Sequence, residues 1–171
     1  RTTILGGFVN IEKDIIHNDV ERARLGFNDA LGHLQDTNLD WSAWDDAYKF
    51  IQDHNSAFPE SNLKVASIQN LHIDAMIFLD TEGKVVESRT LDPLMKEFVE
   101  PDANLIQVVT TTPALRTHAD TDASVSGIAV AGDALWIVAS RPIVTSEGTG
   151  PIKGTIVFAR RMGPQLVRQI S

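Results

Sequence analysis

The chain has 171 residues, 43% of them hydrophobic and 22% charged, and a formal net charge of −8. This is the composition of one ordinary globular domain with material for a sizeable core, and its acidity excludes a phosphate-backbone binder or a protein held to anionic lipid by charge. The absence of cysteine removes disulfides and thiolate metal sites.

The first residue is Arg1 rather than methionine, as expected of a piece cut from a larger protein. No apolar run approaches the ~20 residues a bilayer-spanning helix needs, and no signal peptide is visible. From Arg1 to about Leu34 there is no proline, and apolar residues recur at helical spacing. Val9, Ile16, Ala23 and Ala30 alternate with Val20, Phe27 and Leu34 in a three-four pattern that Lys13 weakens. A helix over residues 1–36 is about 50 Å long, more than a domain of this size needs. Either it bends near Gly26 or Gly32, or its first half projects and pairs with a second copy.

Gln35 to Leu39 reads as a polar turn, and a second helix is expected from Asp40 to about Gln52. In that helix Trp41, Trp44, Tyr48 and Ile51 share a face. Asp40 suits the N-cap, Leu39 and Trp44 suit a hydrophobic staple, and Asp45 and Asp46 fall where the helix dipole favours negative charge. His54 to Glu60, with Pro59, reads as a break, and Asn62 to Asn70 as a short helix.

The period then changes to that of strands. Ile73–Leu79 and Lys84–Thr90 flank Asp-Thr-Glu-Gly turn chemistry; Ser126–Ala131 and Ala134–Ile143 flank Gly132-Asp133. Ile152–Arg160 supplies a fifth strand. Between the hairpins, residues 92–123 form a crossover broken by Pro93, Pro101 and Pro113, with a helical turn or two around Phe98, Leu105, Ile106 and Val109. Pro164 ends the sheet region, and Gln165–Ser171 is an exit segment able to restart a helix. The order gives a single α+β domain over 1–171. A long N-terminal helix (1–36) and an aromatic helical segment (37–70) pack mostly on one face of a five-stranded antiparallel PAS- or Cache-like sheet with a helical crossover (71–163), ahead of the exit (164–171).

Several stretches together resemble the CHASE4 family of extracytoplasmic sensor domains. They are Asp40-Trp-Ser-Ala-Trp-Asp-Asp-Ala-Tyr-Lys-Phe50, Asn62-Leu63, Phe78-Leu-Asp-Thr-Glu-Gly-Lys-Val-Val86, Ser126-Gly127-Ile128, Val138-Ala-Ser-Arg-Pro-Ile143, and Gly150-Pro-Ile-Lys-Gly-Thr155 running on to Arg160. The tryptophan-rich stretch is the most specific of them. The resemblance implies a domain set between two membrane helices that controls a cytoplasmic histidine kinase or diguanylate cyclase. It names no ligand.

The candidate ligand-binding residues are Trp41, Trp44, Asp45, Tyr48, Ser140 and Arg141. The aromatics can wall a pocket between sheet and crossover, or simply anchor the helix to the sheet. Asp45 can meet a ligand amine or fix the aromatic layer. Strand alternation puts Arg141 on the face of Ile137 and Ala139, and Ser140 on the other. An arginine at a sheet rim can grip a carboxylate bidentately or pair with Asp45 or Asp80. The five histidines show no zinc spacing, so no metal or cofactor is expected. No nucleophile elbow, phosphate loop or triad is present, so no enzyme activity is expected. The expected partners are a small polar ligand, a second copy paired through the Val9–Leu34 stripe, and no nucleic acid. The alternative to a ligand sensor is a dimerisation or protein-docking module.

Overall fold

The computed structural model describes residues 2–163, with side chains from residue 21 onward; the expected exit segment 164–171 lies outside the described residues. Helix α1 runs unbroken over Thr2–Ser42. Neither Gly26 nor Gly32 interrupts it, and the turn expected at Gln35–Leu39 does not form. The break falls later. Ala43 makes a parallel bridge with Val144, and Val144 N–H donates to the Ser42 carbonyl at 2.9 Å. Trp44 is then extended (φ −138°, ψ 122°) and serves as N-cap of α2, Asp45–Asp53, without a side-chain cap. Asp40 is therefore a residue of α1 and caps nothing.

Helices α3 (Ala57–Asn62) and α4 (Val65–Asn70) follow. The stretch expected to be a break before Asn62 is helical from Ala57. Asn55 Oδ1 accepts the Phe58 N–H at 2.9 Å, and Pro59 sits in the first turn, where its missing N–H costs no helix bond.

The strands are β1 (Ala75–Leu79), β2 (Val85–Leu91), β3 (Phe98–Val99), β4 (Val125–Ala131), β5 (Ala134–Pro142) and β6 (Thr155–Arg161). They make one sheet in the order β3-β2-β1-β6-β5-β4, every pairing of which is antiparallel. The sheet thus has six strands where five were expected. The addition is the two-residue β3, which puts Phe98 in a strand and not in a helical turn. The crossover carries α5 (Ala103–Thr111), capped by Asp102 accepting the Leu105 N–H at 3.0 Å, and α6 (Pro113–Arg116). At the β4–β5 turn Gly132 has φ +61°, and a Cβ there would lie 2.6 Å from the Asn104 amide, so the tight turn needs glycine.

Helices cover both faces, not one. On the first, Ala30 and Leu34 of α1, Phe50 and Ile51 of α2 and Phe58 of α3 pack on Met76, Phe78, Ile137, Ile156 and Phe158. On the second, Leu105, Val109 and Leu115 pack on Ile77, Trp136, Val138 and Val157. The alternation of β5 follows the sequence pattern: Ile137 and Ala139 belong to the first layer, Trp136 and Val138 to the second.

Candidate functional site

The aromatic stretch builds a packed layer. Trp41, at the end of α1, meets Trp44 edge-on with ring centroids 5.1 Å apart, and both rings contact Phe58, at 6.4 and 5.2 Å. Phe58 stacks on Phe50 at 4.8 Å, and the layer continues to Phe78 and Phe158. The space between the helices and this face is occupied by side chains. Trp41 and Trp44 also lie on the face opposite α5 and α6, so they wall no space beneath the crossover.

Asp45 and Tyr48 face the loop between β5 and β6. The Asp45 carboxylate accepts from the Ser146 N–H at 2.9 Å and the Ser146 hydroxyl at 2.7 Å. Those two bonds, the backbone one foremost, hold its pKa below the ordinary carboxylate value. Tyr48 donates its hydroxyl to the Pro151 carbonyl at 2.6 Å. Both polar atoms are thus engaged in tying α2 to residues 145–151.

Arg141 stands where that loop leaves β5, on the α1 side of the strand. It is half-buried, and its Nε is buried without a hydrogen-bond partner among the described residues. Neither Asp45 nor Asp80, the expected ion-pair partners, pairs with it: Asp45 is bonded to Ser146, and Asp80 accepts the backbone N–H groups of Glu82 and Lys84 within its own turn, each at 2.9 Å.

Ser140, fully buried, points the other way and donates its hydroxyl to the Leu115 carbonyl at 2.8 Å. The Ser140 oxygen also meets His118 Nε2 at 2.8 Å. Because the hydroxyl has one proton and the carbonyl takes it, His118 Nε2 is the donor, leaving Nδ1 unprotonated in the neutral ring. Burial first, and then the positive charge of Arg141, depress the pKa of His118. Sequence reasoning set His118 aside with the other four histidines, for want of metal-ligand spacing. Its role depends on a contact across 22 residues that no local pattern announces.

The six expected site residues therefore fall into three groups: a partly buried aromatic pair packed against the core, two loop ties, and a β5 pair splayed to opposite faces. No cluster of three or more histidine, aspartate or glutamate side chains able to hold a metal occurs among the described residues.

The family model that matches is the CHASE4 domain, over residues 26–171. The chain belongs to the CHASE4 domain family. It is 26% identical over 159 residues to the methanogenesis regulatory histidine kinase FilI of Methanothrix harundinacea (strain 6Ac), an alignment covering 93% of this chain and 18% of FilI. Its fold is similar to the extracellular domain of a protein described as the histidine kinase vpHK1S-Z8, with a TM-score of 0.63 at 13% identity over 88% of this chain and 57% of that one. It is also similar to a domain of a sensory box/GGDEF family protein from Vibrio parahaemolyticus, with a TM-score of 0.58 at 12% identity over 88% of this chain and 60% of that one. This CHASE4 chain spans less than a fifth of the FilI length. CHASE4 domains are the extracytoplasmic sensory parts of membrane receptors, and the chain is a CHASE4 sensor domain with a PAS- or Cache-like fold. No helix of the described residues is long and apolar enough to cross a membrane.

Proposed function

We propose that the domain is the extracytoplasmic ligand sensor of a membrane-bound receptor of the histidine kinase or diguanylate cyclase type, and that it binds a small carboxylate at the sheet rim around Arg141. The observation that carries this reading is the guanidinium itself. A half-buried arginine with a buried, unpartnered Nε has lost hydration without gaining a protein acceptor. A carboxylate supplies what is missing and suits the planar fork. In this reading Asp45 and Tyr48 hold the neighbouring loop in place, and Trp41 and Trp44 make the floor rigid.

Three polar ties join α1 to the sheet near this rim. Gln35 donates to the Ser126 hydroxyl at 2.6 Å, Asn38 donates to the Ile156 carbonyl at 3.2 Å, and the Ser42 carbonyl accepts from Val144. Ligand at Arg141 then acts beside the helix that enters the domain, and it shifts α1 only by as much as it binds one position more tightly than the other.

The test is calorimetric titration of wild-type protein and Arg141→Gln with a panel of small mono- and dicarboxylates. Binding by wild type and its loss in the variant is expected. A wild-type protein that binds no member, or a variant that binds equally well, contradicts the assignment.

The receptor reading also has two copies paired through α1. Leu34 of the apolar stripe lies in this chain's own core and Phe27 packs against it, so the proposed pairing uses the earlier part of the stripe, which has the same three-four spacing in the sequence. Val20→Asp is expected to turn a dimer into a monomer in analytical ultracentrifugation; wild-type protein that is monomeric at high concentration contradicts the pairing.

A further inference from the structure

Five buried side-chain polar atoms have no hydrogen-bond partner among the described residues. Three of them lie away from the α1 face of the sheet. Ser88 is paired opposite Ile77 of the second layer, Trp136 belongs to that layer, and Arg116 is in α6 of the crossover. The other two are Asn38 Oδ1 and Arg141 Nε, an acceptor and a donor. Both side chains stand beside one residue. Asn38 donates its amide to the Ile156 carbonyl at 3.2 Å, and Arg141 is paired directly across the ladder from Ile156.

That carbonyl fixes the orientation of the Asn38 amide. Turned over, the amide would set oxygen against oxygen, so Oδ1 is the atom left over. Asn38 is only 1% exposed, and it lies in the body of α1, where asparagine is a poor helix former. The chain thus carries a buried acceptor that its own fold leaves unused, beside the same residue as the buried donor of Arg141. Each unmade bond costs stability, and one molecule that accepts from Nε and donates to Oδ1 removes both costs.

The pair also selects among carboxylates. Arg141 takes the carboxylate, as in the function proposed above, on which this inference rests. Asn38 needs a donor on the neighbouring carbon. A 2-oxo acid presents a second acceptor there. A 2-amino acid donates, but its ammonium would stand near the guanidinium with a neutral amide oxygen as its only partner, since the Asp45 carboxylate is taken up by Ser146. A hydroxyl donates and brings no charge. We infer that Asn38 is a specificity-determining residue of the rim site, and that the ligand is a small 2-hydroxycarboxylate held between β5 and α1. Asn38 then gives the ligand a direct bond to the helix that enters the domain.

The experiment is calorimetric titration of a matched series, propionate, pyruvate, alanine and both enantiomers of lactate, into wild type, Asn38→Leu and Arg141→Gln. Leucine is close to asparagine in size and a better helix former. One lactate enantiomer is expected to bind wild type about tenfold or more tightly than propionate, pyruvate and alanine. In folded Asn38→Leu, lactate should fall to the affinity of propionate, and Arg141→Gln should lose the whole series. Equal binding of lactate and propionate by wild type, the result a bridging water would give, overturns the inference and leaves the carboxylate reading standing. Tighter binding of alanine or pyruvate, or a lactate preference that survives Asn38→Leu, does the same. No binding by any member overturns both readings. Where Asn38→Leu does not fold, the wild-type series alone decides.

Discussion

Asp45 holds the β5–β6 loop through both atoms of one carboxylate, and its two bonds to Ser146 give a direct expectation. With Asp45→Ala the Ser146 N–H loses its acceptor, so amide hydrogen exchange at Ser146 is expected to speed up while exchange in β1 and β6 stays unchanged. Unchanged exchange at Ser146 would show that the loop stands without the tie. His118 sets a pH dependence whose sign follows from its lowered folded-state pKa. Below the unfolded value of 6.5 the unfolded chain takes up the proton more readily than the fold does. The contribution of the neutral imidazole is therefore complete above that pH, declines as pH falls below it, and levels off beneath the folded value. His118→Gln is expected to flatten this part of the curve of denaturant stability against pH; an unaltered slope would assign it to another group. Neither contact is visible in the sequence, because Asp45 and Ser146 are 101 positions apart and His118 and Ser140 are 22 apart. Asp45 and Ser140 were legible as candidates; their partners Ser146 and His118 were not.

At the scale of elements, the aromatic layer is the joint between α1, α2, α3 and the sheet. Phe58 is at its centre, touching Trp41, Trp44, Phe50 and Phe78. Phe58→Ala is expected to cost about 3–5 kcal/mol in denaturant unfolding, the usual range for a buried ring. A cost well under that range would mean the layer collapses around the gap. The sequence showed this layer as one helical face, yet the chain makes it from two helices meeting at Ala43–Trp44. Helical propensity runs through that point, and the break is set by β5's neighbour Val144 bonding to the end of α1. Both hairpins were legible because glycine turns and alternating strands are local signals. The two-residue β3 was not, since so short a strand has no period of its own and exists only by pairing with Thr90 and Leu91. The same holds for the placement of α5 and α6: the sequence marked a helical crossover but carried no sign of which face it would cover.

Across the whole molecule, α1 has 41 residues and is about 60 Å long, while β5, the longest strand, has nine residues and spans about 30 Å. The helix overreaches the sheet it is tied to. Its contacts place the overreach: Ser42 lies at Val144, Asn38 at Ile156 and Gln35 at Ser126, so the helix runs back from the start of β6 and continues past the end of that strand. There Met162 bonds to the Leu135 carbonyl and packs on the α1 layer. Entry and exit of the chain thus share one end of the sheet, opposite the Arg141 rim. In the proposed sensor, a displacement of α1 at the rim is carried along one continuous helix to the end of the sheet where Met162 lies. The most direct measurement is the distance between spin labels at Arg24 on α1 and Asp133 on the β4–β5 turn, by pulsed electron resonance, with and without a carboxylate shown to bind in the same sample. A ligand-dependent shift in that distance, absent in Arg141→Gln, is the predicted result; an unchanged distance with ligand bound would contradict the account.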